Sequence, residues 1–398
     1  MAYEYIERFK GLGFGLFVHF GLYSVVGKGE WHRVTLSEDG KKEYEKLTER
    51  FDVKKGWATE LVKTAKDAGC RYITVTARHH DGFSLYDAGR LSDFDAPHSA
   101  AGRDLIKEFV EACREGGVVP FFYHTLLDWH DPRYKSDFKA YTDYLIKSVE
   151  LLCRNYGEIG GLWFDGMWDK PDADWREDEL YGTIRKYQPE AMIINNTGLS
   201  KLGELGHKEI DSVTFERGAP RKVVNGDKPV AGEMCQVLND HWGYAEDDLN
   251  YKSLKSLICD LLDCRVNDCN FLLNTGLMGD GGVQALDREI LKKIGRFIEV
   301  NKGFIYGARP CGVKAEGADV LFDGVHYYAV IKDVQMSLDT NVSLKSRRRV
   351  VKIGADVKNA VWLDCGKEAA RDGDGFTVEP FEYGKSYIVR VLQFDIGV

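Results

Sequence analysis

The chain has 398 residues, 44% of them hydrophobic and 29% charged, with a formal net charge of −9. This is an ordinary globular composition, long enough for a barrel of about 250–300 residues and a smaller second module. The acidic balance argues against nucleic acid or an anionic membrane as the main partner, and no apolar run reaches the ~18 residues of a membrane-crossing helix.

The N-terminal MAYEYIERFKG is charged and amphipathic and lacks the apolar stretch of a signal peptide, so a cytoplasmic location is expected. The nine cysteines are scattered; Cys259, Cys264 and Cys269 recur every five residues, match no zinc pattern and read as buried thiols of a reducing compartment. Arg347–Arg349 form the one dense basic run and read as a solvated turn.

Strand-like and helical patterns alternate from the start to about residue 305. The strand candidates are 14–20, 72–77, 118–124, 159–165, 191–196, 212–216, 230–238 and 270–275. Helical candidates between them are 57–69, 104–117, 137–157, 178–190, 254–266 and 285–303, several of them ending on Gly. Eight strands with intervening helices predict a (β/α)8 barrel over 1–305. After strands five and six, LSKLGELGHKEIDS and RGAPRKVVNGDK read as loops, so the second half of the barrel is expected to be irregular. From 306 to 398 the strands become short, alternating and separated by Gly, Asp and Asn, which predicts an antiparallel β-sandwich joined through FIYGARPCG.

In a parallel barrel, chemistry sits at the carboxyl ends of the strands. There the chain places His19 after strand one, His79, His80 and Asp81 after strand two, and Tyr123 and His124 on strand three, followed by Asp128 and His130. It also places Asp165 after Trp163-Phe164, Glu216 and Arg217 after strand six, and Glu233 on strand seven; the long first loop, 21–55, adds Glu30, Trp31 and His32. GxGxxG, GxxxxGK[ST] and GxSxG are all absent. Aromatic residues make 12% of the chain, and aromatic platforms suit sugar rings as well as cores. Two carboxylates facing one another across a barrel mouth suggest glycoside hydrolysis. Asp165 fits a nucleophile, or a loop-capping Asp; a second carboxyl, raised in pKa, would be the acid. A zinc or di-metal hydrolase built from His19, His79, His80, His124, His130 and Asp165 is the competing reading, although HxH, HExxH and CxxC are missing.

FGLFVHFGLYSVVGKGEW (14–31), YITVTARHHDGFSLYD (72–87), FYHTLLDWHDP (122–132), GLWFDG (161–166), EMCQVLNDHWGY (233–244), NFLLNTGLMGDGGV (270–283) and IGRFIEVNKGFIYG (294–307) together resemble the α-L-fucosidases of glycoside hydrolase family 29. The resemblance spans the barrel with its motifs in order. It implies retaining hydrolysis of a terminal α-L-fucoside in a fucosylated oligosaccharide or glycan, by double displacement, without metal or other cofactor. It implies Asp165 as nucleophile, and His19, Glu30, Trp31, His79, His80 and Tyr123 as fucose-binding residues. Trp163 and Trp242 join them as further substrate contacts, and Arg217 or Arg221 as a partner for a pocket carboxylate. For the acid/base, the family's Trp-Glu preceding Trp-Gly-Tyr matches Gly232-Glu233 here, with Gly in place of Trp, and favours Glu233. A linkage-selective subgroup instead points to Glu216 in TFERGAP. A non-catalytic fucose-binding barrel is the second reading. These motifs do not encode linkage, aglycone or oligomeric state. His79 and His80, adjacent on a regular strand, would face opposite ways; both can reach one pocket only if the strand breaks at Arg78.

Overall fold

The computed structural model describes residues 3–197, 203–224, 226–301, 304–334 and 349–397. Eight parallel strands close into a barrel in chain order: β1 (Phe14–His19), β2 (Tyr72–Arg78), β3 (Val119–Thr125), β4 (Gly161–Asp165), β5 (Met192–Asn195), β6 (Ser212–Thr214), β7 (Ala231–Val237) and β8 (Cys269–Gly276). β8 returns to pair with β1, Phe14 opposite Phe271 through His19 opposite Gly276. Nearly every strand residue is buried, because helices cover one face and the barrel interior the other. That is why these runs read as continuous apolar stretches rather than alternating ones.

The helix Leu105–Gly116 shows how local chemistry sets the outer layer. The Asp104 carboxylate accepts from Lys107 N at 2.9 Å, Leu105, Phe109 and Ala112 fall on the buried side, and Gly117 at φ 68° ends it. The helices Trp57–Asp67, Phe138–Asn155, Glu177–Tyr187, Leu254–Val266 and Ala285–Val300 complete the layer. An N-terminal helix, α1 (Glu4–Leu12), closes the amino end of the barrel, with Tyr5, Ile6 and Phe9 buried and Phe9 packed on the interior-facing Tyr72 and Phe121.

The irregular second half is real. Among the described residues no helix lies between β5 and β6 or between β6 and β7, and β5 meets β6 through one register pair, Ile194 with Ser212. Asp211, fully buried, ties this thin side together. Its carboxylate takes Tyr5 Oη (2.9 Å), Arg185 Nη2 (2.6 Å), Ile193 N (2.8 Å) and Lys228 Nζ (2.7 Å). A buried carboxylate costs stability unless its lone pairs are met, and here four donors meet them.

Past the barrel, two antiparallel sheets stack. One has the order β10 (Ala315–Glu316), β13 (Arg349–Ile353), β16 (Gly375–Val378), β15 (Arg371–Asp372). The other has the order β14 (Val357–Trp362), β17 (Arg390–Ile396), β12 (Tyr327–Ile331), β11 (Asp319–Phe322), β9 (Arg309–Pro310). Val351, Ile353 and Phe376 from one sheet meet Ala329, Ile331, Trp362 and Leu392 from the other, the two-layer core of a sandwich. Of the basic run, Arg347 and Arg348 lie outside the described residues, while Arg349 opens β13 and bonds the Lys332 and Gly317 carbonyls. Cys264 and Cys269 are buried thiols as expected, but Cys259 is only half-buried because it sits at the edge of its helix's packed face. No helix among the described residues is long and apolar enough to cross a membrane.

Candidate active site

A pocket opens at the carboxyl end of the barrel, lined by Phe17, His19, Trp31, His79, His80, Tyr123, Trp163, Asp165, Trp168, Glu216 and Trp242. Asp165 is the last residue of β4. Gly166, at φ 100°, turns the chain away at once; a Cβ there would sit 2.6 Å from the Leu127 Cβ, so only glycine lets the ends of β3 and β4 approach this closely. Four side chains hold the Asp165 carboxylate. Tyr123 Oη donates to Oδ2 at 3.1 Å, Trp168 Nε1 to Oδ1 at 3.1 Å and Asn196 Nδ2 to Oδ1 at 3.3 Å, while His80 Nε2 stands 3.4 Å from Oδ2. Burial pushes this carboxyl up, but His80, Trp168 and Tyr123 outweigh it and hold the group below its ordinary value, ionised at neutral pH.

Glu216 lies two residues beyond β6. Its backbone keeps the ladder going, since Phe215 N and Arg217 N donate to the Glu233 and Cys235 carbonyls of β7. Burial, then the nearby Asp165 charge, raise the Glu216 carboxyl to about 7; the Asn196 amide and Arg217 only partly oppose them. Asn196 Nδ2 also donates to Glu216 Oε2 at 2.6 Å, so one amide bridges both carboxylates. Those two contacts cap the separation of the bridged oxygens at about 5.9 Å. Retaining glycosidase pairs stand about 5–5.5 Å apart and inverting pairs about 6.5–9.5 Å.

Glu233 does not reach the pocket. It pairs in register with Thr214, and at ~3.3 Å per residue that level is about 7 Å below Glu216 along the strand direction. Its carboxyl is in the closed interior, accepting from Tyr72 Oη (2.6 Å) and Trp163 Nε1 (2.9 Å). Of the two glutamates the sequence offers, Glu216 lines the pocket together with Asp165 and Glu233 does not.

His79 and His80 both line the pocket, their rings 4.3 Å apart. The register of β2 on β3 slips between Thr76 and Arg78, and the strand ends there, so the alternation that would have separated the two rings is broken. The Arg78 guanidinium, buried and paired with Asp128, anchors the turn. His19 Nδ1 meets Asn274 Oδ1 at 2.6 Å, and Asn274 in turn donates its Nδ2 to the Trp242 carbonyl at 2.7 Å. That orientation makes Nδ1 the donor and leaves Nε2 as an acceptor. Burial holds His19 down to about 3 and pushes His79 well below the usual imidazole range, so both rings are neutral.

The remaining expectations divide. Trp31 stands 43% exposed at the rim, stacked on Trp168 and edge-on to Trp129. Glu30 is buried behind the wall, accepting Gly243 N at 2.8 Å, and fixes the Trp242 loop instead of lining the pocket. Arg217 lies outside, over the Trp242 ring, bonded to the Asp240 carbonyl. Arg221 is exposed beside Phe215 and is not part of the pocket wall. His124 turns to Tyr86 and His130 to Glu45, so the five histidines do not converge; no set of three His, Cys, Asp or Glu among the described residues is placed to hold a metal ion. Sequence reasoning missed Asn196 and Trp168. Both stand where a barrel places chemistry, Asn196 directly after β5 and Trp168 three residues after Asp165 in WFDGMWD.

The Alpha-L-fucosidase family profile matches residues 1–303. This chain belongs to the α-L-fucosidases of glycoside hydrolase family 29. It is similar to an alpha-L-fucosidase from Dictyostelium discoideum, 26% identical over 76% of this chain and 71% of that one, and to tissue alpha-L-fucosidase from Bos taurus, 25% identical over 80% and 73%. The solved alpha-L-fucosidase isoenzyme 1 from Paenibacillus thiaminolyticus is 30% identical, with a TM-score of 0.83 over 100% of both chains. The protein is a glycoside hydrolase, an α-L-fucosidase whose substrates are fucosylated glycans.

Proposed function

We propose that Asp165 is the nucleophile and Glu216 the acid/base of this fucosidase. The bridged pair carries the reading: two carboxyls whose bridged oxygens stand no more than about 5.9 Å apart, short of the inverting range, one held ionised and the other raised to about 7. In the first step an Asp165 oxygen attacks the anomeric carbon while Glu216 delivers its proton to the departing glycosidic oxygen. In the second, Glu216 takes a proton from water, the water oxygen bonds to the anomeric carbon, and the bond to Asp165 breaks. After burial, the Asp165 charge is the largest of the forces raising Glu216. Esterification removes that charge, so the Glu216 pKa falls when the residue must become a base. The neutral His19 offers Nε2 to a sugar hydroxyl, and His79, whose buried Nδ1 has no partner among the described residues, offers a second polar contact. Hydroxyl-reading groups of this kind discriminate strongly among sugars.

Asp165→Gly tests the reading. Release of an aryl group from its α-L-fucoside is expected to drop to a trace and to return in part with azide, giving a fucosyl azide of inverted configuration. Undiminished turnover in this variant sinks the assignment.

A further inference from the structure

Glu233 is left without a part in that chemistry, yet it is built into the barrel with unusual care. It is 1% exposed and no cation pairs with it among the described ion pairs. Its two oxygens join three strands: β7, which carries it, β2 through Tyr72 Oη and β4 through Trp163 Nε1. The backbone makes room for this arrangement. Gly15 of β1 is paired with Tyr72, and a Cβ there would lie 2.4 Å from the phenol ring, so glycine alone lets that ring lean across toward Glu233.

What Glu233 holds is the pocket floor. Trp163 lines the pocket, packs on Phe17 at 5.2 Å and lies nearly parallel to Tyr123, 5.7 Å and 19° away. Tyr123 is the donor to Asp165 Oδ2. We propose that Glu233 is a positioning residue: it fixes the Trp163 indole through its N–H, and through the Trp163–Tyr123 stack it sets the place of the Asp165 carboxylate. The inference rests on Asp165 as nucleophile.

Burial also raises Glu233 to about 7, so below that pH the group is mostly neutral and adds little negative charge beneath Asp165. A glutamine imitates that state. Its amide oxygen can accept the Trp163 N–H and its NH2 can donate to the Tyr72 oxygen. Leucine, of similar volume, does neither and leaves the indole N–H unpaired in the interior.

The experiment measures kcat and KM for Glu233→Leu and Glu233→Gln, each with and without Trp163→Phe, on a nitrophenyl α-L-fucoside and on an alkyl α-L-fucoside. Glu233→Leu is expected to lose about tenfold or more in kcat/KM, the scale set by one buried N–H left unpaired. The loss is expected to be equal on both substrates, with KM rising as kcat falls; a smaller folded fraction lowers kcat alone. Glu233→Gln is expected to return to within about threefold of wild type, and the Leu penalty to shrink once Phe has removed the indole N–H. Three results overturn the proposal: wild-type kinetics in Glu233→Leu, an undiminished penalty in the Trp163→Phe background, or a Glu233→Gln loss concentrated on the alkyl fucoside, which would make Glu233 the acid. If the leucine variant does not fold, Trp163→Phe alone decides, because kinetics identical to wild type in that variant refute the role of the indole bond. Failure of the nucleophile assignment shows separately, as turnover surviving in Asp165→Gly.

Discussion

Glu216→Gln removes one proton from the proposed mechanism and leaves the shape of the pocket. The structure sets the size of the effect. A carboxyl titrating at about 7 is about 90% protonated at pH 6, whereas one at the ordinary 4.5 is about 3% protonated, so burial and the Asp165 charge enrich the acid form roughly thirtyfold. In the wild type, kcat/KM for a fucoside with a poor leaving group is therefore expected to fall on the alkaline side with a midpoint near 7. Asp165, held below its ordinary value, puts the acid limb well under that. In Glu216→Gln the alkaline limb is expected to vanish. The alkyl fucoside is expected to lose about 10²–10⁴ in kcat/KM, the usual share of a positioned acid. A nitrophenyl fucoside needs little protonation of its leaving group and should lose much less in the first step. Azide, which needs no general base, should then speed turnover and yield a fucosyl azide of retained configuration. A limb that persists near 7 in Glu216→Gln, or an equal loss on both substrates, refutes the assignment of Glu216.

Two further outcomes concern stability. Glu233 titrates at about 7 in the fold against an ordinary 4.5, so its neutral form favours folding fully below about 4.5, and that contribution is lost as the pH rises through 7. Glu233→Gln is expected to gain on the wild type by about 3 kcal/mol between pH 4 and pH 9 in urea unfolding, and a difference that does not change with pH contradicts the buried neutral state. Arg78→Met removes the cation facing Asp128, both side chains being buried. Leaving that carboxylate uncompensated costs about 3–5 kcal/mol, and because Arg78 directly precedes His79 the loss should also appear as a raised KM; a change below about 1 kcal/mol in thermal or urea unfolding would show that the pair contributes little.

The barrel was legible in the sequence because a parallel strand, buried on both faces, must be apolar along its whole length. YITVTA and VVPFFYH carry that signature, and each lies within a residue or so of the strand that forms. The lack of helices among the described residues after β5 and β6 was legible too, as segments with no apolar stripe. What a strand pattern does not carry is depth. Glu216 and Glu233 both stand on or near the ends of strands, and only the register, Thr214 against Glu233, shows that one opens to the mouth and the other is sealed two residues lower. The same holds for His79 and His80. Strict alternation would have sent one of them outward, and a one-residue slip between Thr76 and Arg78 brings both rings to the same wall. Asn196 escaped notice for a related reason: an Asn after a strand ordinarily reads as a turn residue. Its role exists only once β4, β5 and β6 lie side by side, so that one amide can touch the nucleophile and the acid together. The residues that matter most to the chemistry are thus those whose meaning is set by neighbouring strands, and a strand pairing of one residue more or less would assemble a different site from the same side chains.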